Sequence, residues 1–199
     1  MRRSSEQQAS RLRRTGWLLV PLLACTSAVA GPVSPAPAEK GAHASLDDVE
    51  AAYLYNFGKF VRWPDSAGPM VICIAGPEPF HQAVVRLVEG ERIDGRAVQV
   101  RVVESREGLS ACSILFVETA QSQHVASYVA ATSGRPVLTV SDAPDFLDRG
   151  GIIQFVLDGD HVRFAVNLTA ASRNGLALSS ELLKVAVRVT GGPAKGGTP

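Results

Sequence analysis

The sequence predicts an α/β fold: a single domain with a mainly parallel sheet flanked by helices and a C-terminal antiparallel hairpin. Three observations point there. Pro69-Met70-Val71-Ile72-Cys73-Ile74-Ala75-Gly76, Ile114-Leu115-Phe116-Val117 and Val137-Leu138-Thr139-Val140 are nearly continuous apolar runs, as expected of strands covered on both faces. The segments between them carry helical periodicity, so the strands are joined by crossovers and run parallel. Late in the chain, Asp158-Gly159-Asp160 separates two strand-like runs, a strong hairpin signal.

The elements follow in order. Ser45 is a good N-cap, and Asp48 stands three residues on in capping-box position. At 100° per residue, Leu46, Val49, Tyr53, Leu54, Phe57, Phe60 and Val61 share one arc, with Asp47, Asp48, Tyr55, Lys59 and Arg62 opposite. Asn56 and Trp63 sit at the border, and Glu50 breaks the pattern by landing on the apolar arc. Pro64 drives Trp63 out of the helical region and is expected to end the helix.

The run from Pro69 to Gly76 is the first buried strand. Residues 79–89 then form a helix with Phe80, Val84, Leu87 and Val88 inward. Ala97–Val102 alternates as a strand, Ile114–Val117 is buried, a helix follows near 121–132, and Val137–Val140 is the next strand. Residues 151–157 and 161–166 make the hairpin; a short helix runs from Asn167 to about residue 174, where Gly175 stops it. Ser179 or Ser180 caps a last helix containing Leu182, Leu183, Val185 and Ala186.

The N-terminus reads as an export signal. Arg2, Arg3, Arg11, Arg13 and Arg14 precede the apolar run Trp17–Ala24, and Ala28-Val29-Ala30 then forms an A-x-A cleavage site. The run is too short to span a bilayer, and Pro21 interrupts it. A second reading takes Leu22-Leu23-Ala24-Cys25 as a loose lipoprotein box; its second place carries Leu where a small residue is more usual, so cleavage after Ala30 is preferred. The division is therefore a signal peptide over 1–30, a Pro/Ala-rich linker over 31–44, the folded domain over 45–190 and a disordered tail over 191–199.

The full chain has 20 Lys+Arg and 19 Asp+Glu; losing five Arg and Glu6 with the leader leaves 15 and 18, a net charge of −3. A mildly acidic chain without a basic patch argues against nucleic acid. After cleavage Cys73 and Cys112 remain. An even pair in an oxidising compartment suggests one disulfide, closing a loop of about 40 residues, for which chain entropy predicts about 4 kcal/mol. Cys73 lies in one strand and Cys112 just before another, which favours the bridge; two separate buried thiols are the alternative.

Enzyme chemistry has no signature: the chain lacks G-x-S-x-G, a P-loop, G-x-G-x-x-G and H-E-x-x-H. His43, His81, His124 and His161 share no metal-like spacing. No cofactor is expected.

Binding candidates fall into three groups. Tyr55, Lys59 and Arg62 on the outer face of the first helix, with Trp63 just beyond it, can form a partner-docking rim, since Trp, Tyr and Arg are favoured at interfaces; the alternative is a helix that only supplies core through Tyr53, Phe57 and Phe60. Asn56, if buried, needs a partner, most simply a backbone group at the Trp63-Pro64 turn. Arg149 and Arg163 can meet an acid on a partner or form a solvated edge. Gly76 and Ser141-Asp142 follow strands at the carboxyl end of the sheet, where a small anion or metabolite can sit; the alternative is ordinary turn and cap chemistry. Gly150-Gly151 should need unusual backbone angles entering the hairpin.

Taken in order, Ala52–Pro64, Cys73–Gly76, Cys112–Val117, Val137–Asp142, Phe146-Leu147, Gly150–Phe155 and Arg163–Asn167 resemble the YfiR family of bacterial periplasmic proteins. The resemblance spans almost the whole domain. Some members carry a second cysteine pair, which this chain has no residues to form. The resemblance implies a periplasmic repressor that engages the periplasmic sensor domain of a membrane-bound diguanylate cyclase, lowering cyclic-di-GMP signalling and biofilm formation, and it implies a homodimer. The competing expectation is a periplasmic small-ligand-binding sensor module feeding a membrane kinase or transporter.

Overall fold

The computed structural model describes residues 45–64 and 67–192. The expected leader, its cleavage site, the linker and most of the tail lie outside the described residues. No helix among the described residues is long and apolar enough to cross a membrane.

The helix α1 (Leu46–Phe60) begins with the expected capping box: Ser45 Oγ accepts from Asp48 N, and Asp48 takes the Ser45 N–H in return. The helix stops four residues before Pro64. Val61 turns extended, and β1 (Val61–Arg62) pairs antiparallel with β9 (Ala177–Leu178). Tertiary pairing, rather than Pro64, thus sets its end.

The remaining strands form one eight-stranded sheet in the order β10-β8-β7-β6-β5-β2-β4-β3. Its centre is β2 (Met70–Ala75), β5 (Ile114–Val117) and β6 (Leu138–Ser141), every residue buried. β4 (Arg96–Val102), β2, β5, β6 and β7 (Ile153–Asp158) are parallel neighbours, as expected. β8 (His161–Asn167) returns antiparallel to β7 across the Asp158–His161 turn, with Gly159 at φ 59°. Four short strands were invisible to periodicity: β1, β3 (Arg92–Ile93), β9 and β10 (Arg188–Thr190). A run of two or three residues has no period to detect.

Alternation along the central strands divides the core. Ile72, Ile74, Ile114, Phe116, Leu138 and Val140 face α1, α2 (Glu78–Val88), α4 (Leu168–Arg173) and α5 (Ser180–Val185). Val71, Cys73, Ala75, Leu115 and Val117 face α3 (Val125–Thr132) and the 3-10 helix Arg106–Ala111. On the first face Tyr53 and Phe57 pack among Phe155 and Phe164, with Phe57–Phe164 centroids 5.0 Å apart. On the second, a disulfide joins Cys73 to Cys112, Cα atoms 5.7 Å apart.

Several expected core positions are exposed. Leu46 is 50% and Phe60 39% accessible, because the two ends of α1 overhang the sheet; Leu87, also 39% accessible, yields its inward place on α2 to Ala83. The helix expected near 121–132 begins as a 3-10 turn (Thr119–His124) before α3. Gly150 takes φ 89°, as expected, but Gly151 does not: it is constrained by the Phe146 ring, which a Cβ would strike.

Candidate functional site

The sheet reverses its winding between β2 and β5. From β2 the chain crosses to β4 on one side and then to β5 on the other, opening a crevice at the carboxyl ends where α/β sheets gather ligands. A cleft of about 420 Å³ lies at these strand ends. Glu118, Thr119 and Asp142 line it from the ends of β5 and β6; Leu46, Asp47 and Glu50 come from the start of α1. Phe80 of α2 and Phe155, Val156 and Leu157 of β7 supply apolar walls. β7 reaches the cleft because its start pairs with the end of β6, so the hairpin projects beyond its neighbours.

Four carboxyl groups therefore converge from three segments. Asp142 Oδ1 accepts the Thr119 N–H at 2.6 Å. Glu118 lies over Gly76, where a Cβ would collide with its carboxylate, and its buried Oε2 has no hydrogen-bond partner. Burial, and then the negative charges of Asp142, Asp47 and Glu118, push the Glu50 pKa up to about 8. Burial, with Asp142 and Asp47, pushes Glu118 up to about 7. No cation acts on either group among the described residues. Such a cleft repels a small anion. No three or more His, Cys, Asp or Glu among the described residues are placed to hold a metal ion.

Of the three strand-end candidates, only Asp142 lines this cleft. Ser141 is fully buried: its hydroxyl donates to Val117 O and accepts from Ala143 N at 2.9 Å. Gly76 makes room for Glu118. The sequence reading missed Asp47, Glu50 and Glu118 as a group. The signals were present: Glu50 is the charge on the apolar arc of α1, and Glu118 follows a buried strand as Asp142 does.

The α1 rim divides in two. The Tyr55 hydroxyl donates to Glu91 Oε2, and Lys59 Nζ stands 3.9 Å above the Tyr55 ring. Asn56 is exposed, so it needs no buried partner at the Trp63-Pro64 turn; it lines an apolar groove of about 380 Å³ with Tyr53, Phe60, Leu182 and Val185, between α1 and α5. Arg62 is exposed on β1. Trp63 is half-buried, its indole N–H donating to Ser113 O at 3.3 Å, so much of the ring is committed to holding the chain turn.

Arg149 and Arg163 do not join this rim. Arg163 alternates with the inward Val162 and Phe164 and so points away from the face that α1 covers. Arg149 donates to Ser122 O at 2.9 Å, beside α3.

Among solved structures, the chain is similar to a conserved domain protein from Vibrio cholerae O1 biovar El Tor, with 10% identity, a TM-score of 0.49, and coverage of 73% of this chain and 60% of that one. It is also similar to an ABC domain from Streptococcus pneumonia solved in complex with L-Trp, with 12% identity, a TM-score of 0.47, and coverage of 72% and 61%. The chain thus spans about three fifths of the length of each. A family model described as YfiR/HmsC-like matches residues 47–187, from the first turn of α1 to the residue before β10. The match takes in the capped aromatic helix, both bridged cysteines and the hairpin, and on that extent the chain belongs to the YfiR/HmsC-like family, a non-catalytic family of periplasmic regulators in cyclic-di-GMP signalling.

Proposed function

We propose that this chain is exported, with its leader removed after Ala30, and binds the periplasmic sensor domain of a membrane-bound diguanylate cyclase. Binding favours the inactive receptor conformation and so shifts its population, lowering cyclic-di-GMP and biofilm formation. The family match over residues 47–187 carries the reading.

The docking surface we assign is the outer, C-terminal part of α1 with β1: Tyr55, Asn56, Lys59, Phe60 and Arg62. It sets Tyr55, Phe60 and Arg62, residue types enriched at interfaces, beside an apolar groove, with Lys59 as a charge for its rim. Deleting the gene should raise cyclic-di-GMP in a strain carrying the cyclase; unchanged levels would overturn the proposal. Lys59→Glu with Arg62→Glu should abolish recovery of the cyclase from detergent-solubilised membranes. Both side chains are exposed, so the melting temperature should move by no more than about 2 °C. Recovery undiminished by the double variant would exclude this face.

The strand-end cleft supports a second reading, a small-ligand sensor feeding a membrane kinase or transporter. A true ligand would raise the melting temperature, by an amount that grows with the logarithm of its concentration once above Kd. A flat response across a metabolite panel, with positive capture of the cyclase, would leave the first reading standing alone.

A further inference from the structure

The strand-end carboxyls do more than line a cleft: with the half-buried Val49 they stand where the first turn of α1 approaches the sheet. The buried residues of α1 are Ala51, Leu54, Phe57 and Gly58, all beyond its first turn. The first turn itself offers an exposed Leu46, with Asp47 and Val49 half-buried. Its approach to the sheet therefore brings acid against acid. Asp47 and Glu50 on α1 meet Glu118 from the end of β5 and Asp142 from the end of β6.

The other packed elements bring no compensating charge. α2 presents Phe80 to the cleft, while its Arg86 lies 3.7 Å from Asp48, and its His81 and Glu78 are 3.9 Å apart. β7 presents Gln154, Phe155, Val156 and Leu157, none of which titrates. Asp142 Oδ1 accepts the Thr119 N–H. Burial first, and then the like charges around them, favour the protonated forms of Glu50 and Glu118. A neutral carboxyl can be buried here, whereas two charged ones beside Asp142 and Asp47 cannot without leaving oxygens desolvated and unpaired.

We propose that this contact is a proton-operated latch: α1 keeps its first turn, through Glu50, on the sheet while Glu50 and Glu118 are protonated, and lifts it when both ionise. The anchored part of α1, around Leu54 and Phe57, acts as the fixed end. The raised proton affinities of the two glutamates place the transition near neutral pH. The device goes beyond the docking role and holds whatever α1 binds.

Hydrogen exchange on the purified domain tests it. Amides from Val49 to Tyr53, corrected for intrinsic rates, should lose about tenfold or more in protection between about pH 5.5 and pH 8.5, while those of β5 fall by less. In Glu50→Gln with Glu118→Gln the α1 loss should vanish. Equal protection of α1 at the two pH values in the wild-type protein would overturn the latch, and that arm requires no variant to fold. So would an α1 loss matched factor for factor by β5, or one that persists in the double variant.

Discussion

Cys73 and Gly76 stand three residues apart at the end of β2, yet they anchor opposite kinds of structure. At Cys73 the β2–β5 seam is closed by a covalent bond inside a fully apolar cluster with Leu115, Val125 and Phe146. At Gly76 the same seam ends under a carboxylate with an unpartnered oxygen, in a cleft whose charges share one sign. The seam is thus fastened at one point and left responsive to its surroundings at the next. Satisfied packing and unsatisfied charge can lie only a few residues apart when alternation sends neighbouring side chains to different environments.

The largest way to break this contrast is at the bridge. Cys73→Ser with Cys112→Ser should cost about 4 kcal/mol through the released loop, lowering the melting temperature by roughly 10 °C. Reductant should produce the same loss in the wild-type protein and none in the double variant. Two alkylatable thiols in the native exported protein would show that the bridge does not form there.

The cleft should give a smaller and pH-dependent effect. Folded Glu50 holds its proton to about pH 8, whereas the unfolded chain releases it near 4.5. Across that window the native state binds more protons than the unfolded state, so stability is greatest on the acid side and falls as pH rises. Glu118, raised to about 7, has the same sign over a narrower range. Part of each side chain remains in water, so the combined loss should be on the order of 2 kcal/mol. Urea titrations at intervals across this range would measure it. Glu50→Gln should flatten the profile and stabilise the protein at alkaline pH; a profile that rises with pH would contradict the charge arrangement.

Much of the fold was legible in the sequence because the central strands are apolar on both faces and the hairpin announces itself through Asp158-Gly159-Asp160. The two exposed ends of α1 were not. Periodicity assigns Leu46 and Phe60 to the sheet side of the helix, but it contains no information about where the sheet stops. The cleft was half legible for a related reason. Asp142 could be placed at a strand end from its own neighbourhood, whereas its meeting with Glu50, ninety-two residues earlier, depends on how α1 crosses the sheet. The arginines show the converse: Arg163 resembles a docking residue in sequence, and the parity of β8 turns it to the opposite face from Lys59.

The smallest expected effect sharpens the comparison within α1 itself. Ser45 Oγ accepts from Asp48 N at 3.2 Å, and Ser45→Ala should cost about 1 kcal/mol through the lost cap, measurable as a small fall in melting temperature. The bonds from the Ser45 hydroxyl and backbone N–H, aided by Arg86, hold the Asp48 carboxyl below its ordinary range. Its sign is opposite to that of Glu50. The capping contribution is present at neutral pH and fades as acid protonates Asp48, while the Glu50 penalty grows toward alkaline pH. The first turn of α1 should therefore be most secure at mildly acidic pH, loosening on either side. In Ser45→Ala the acid limb of that dependence should shrink while the alkaline limb keeps its size; a variant that lost both limbs together would mean that the cap and the cleft are not separate supports.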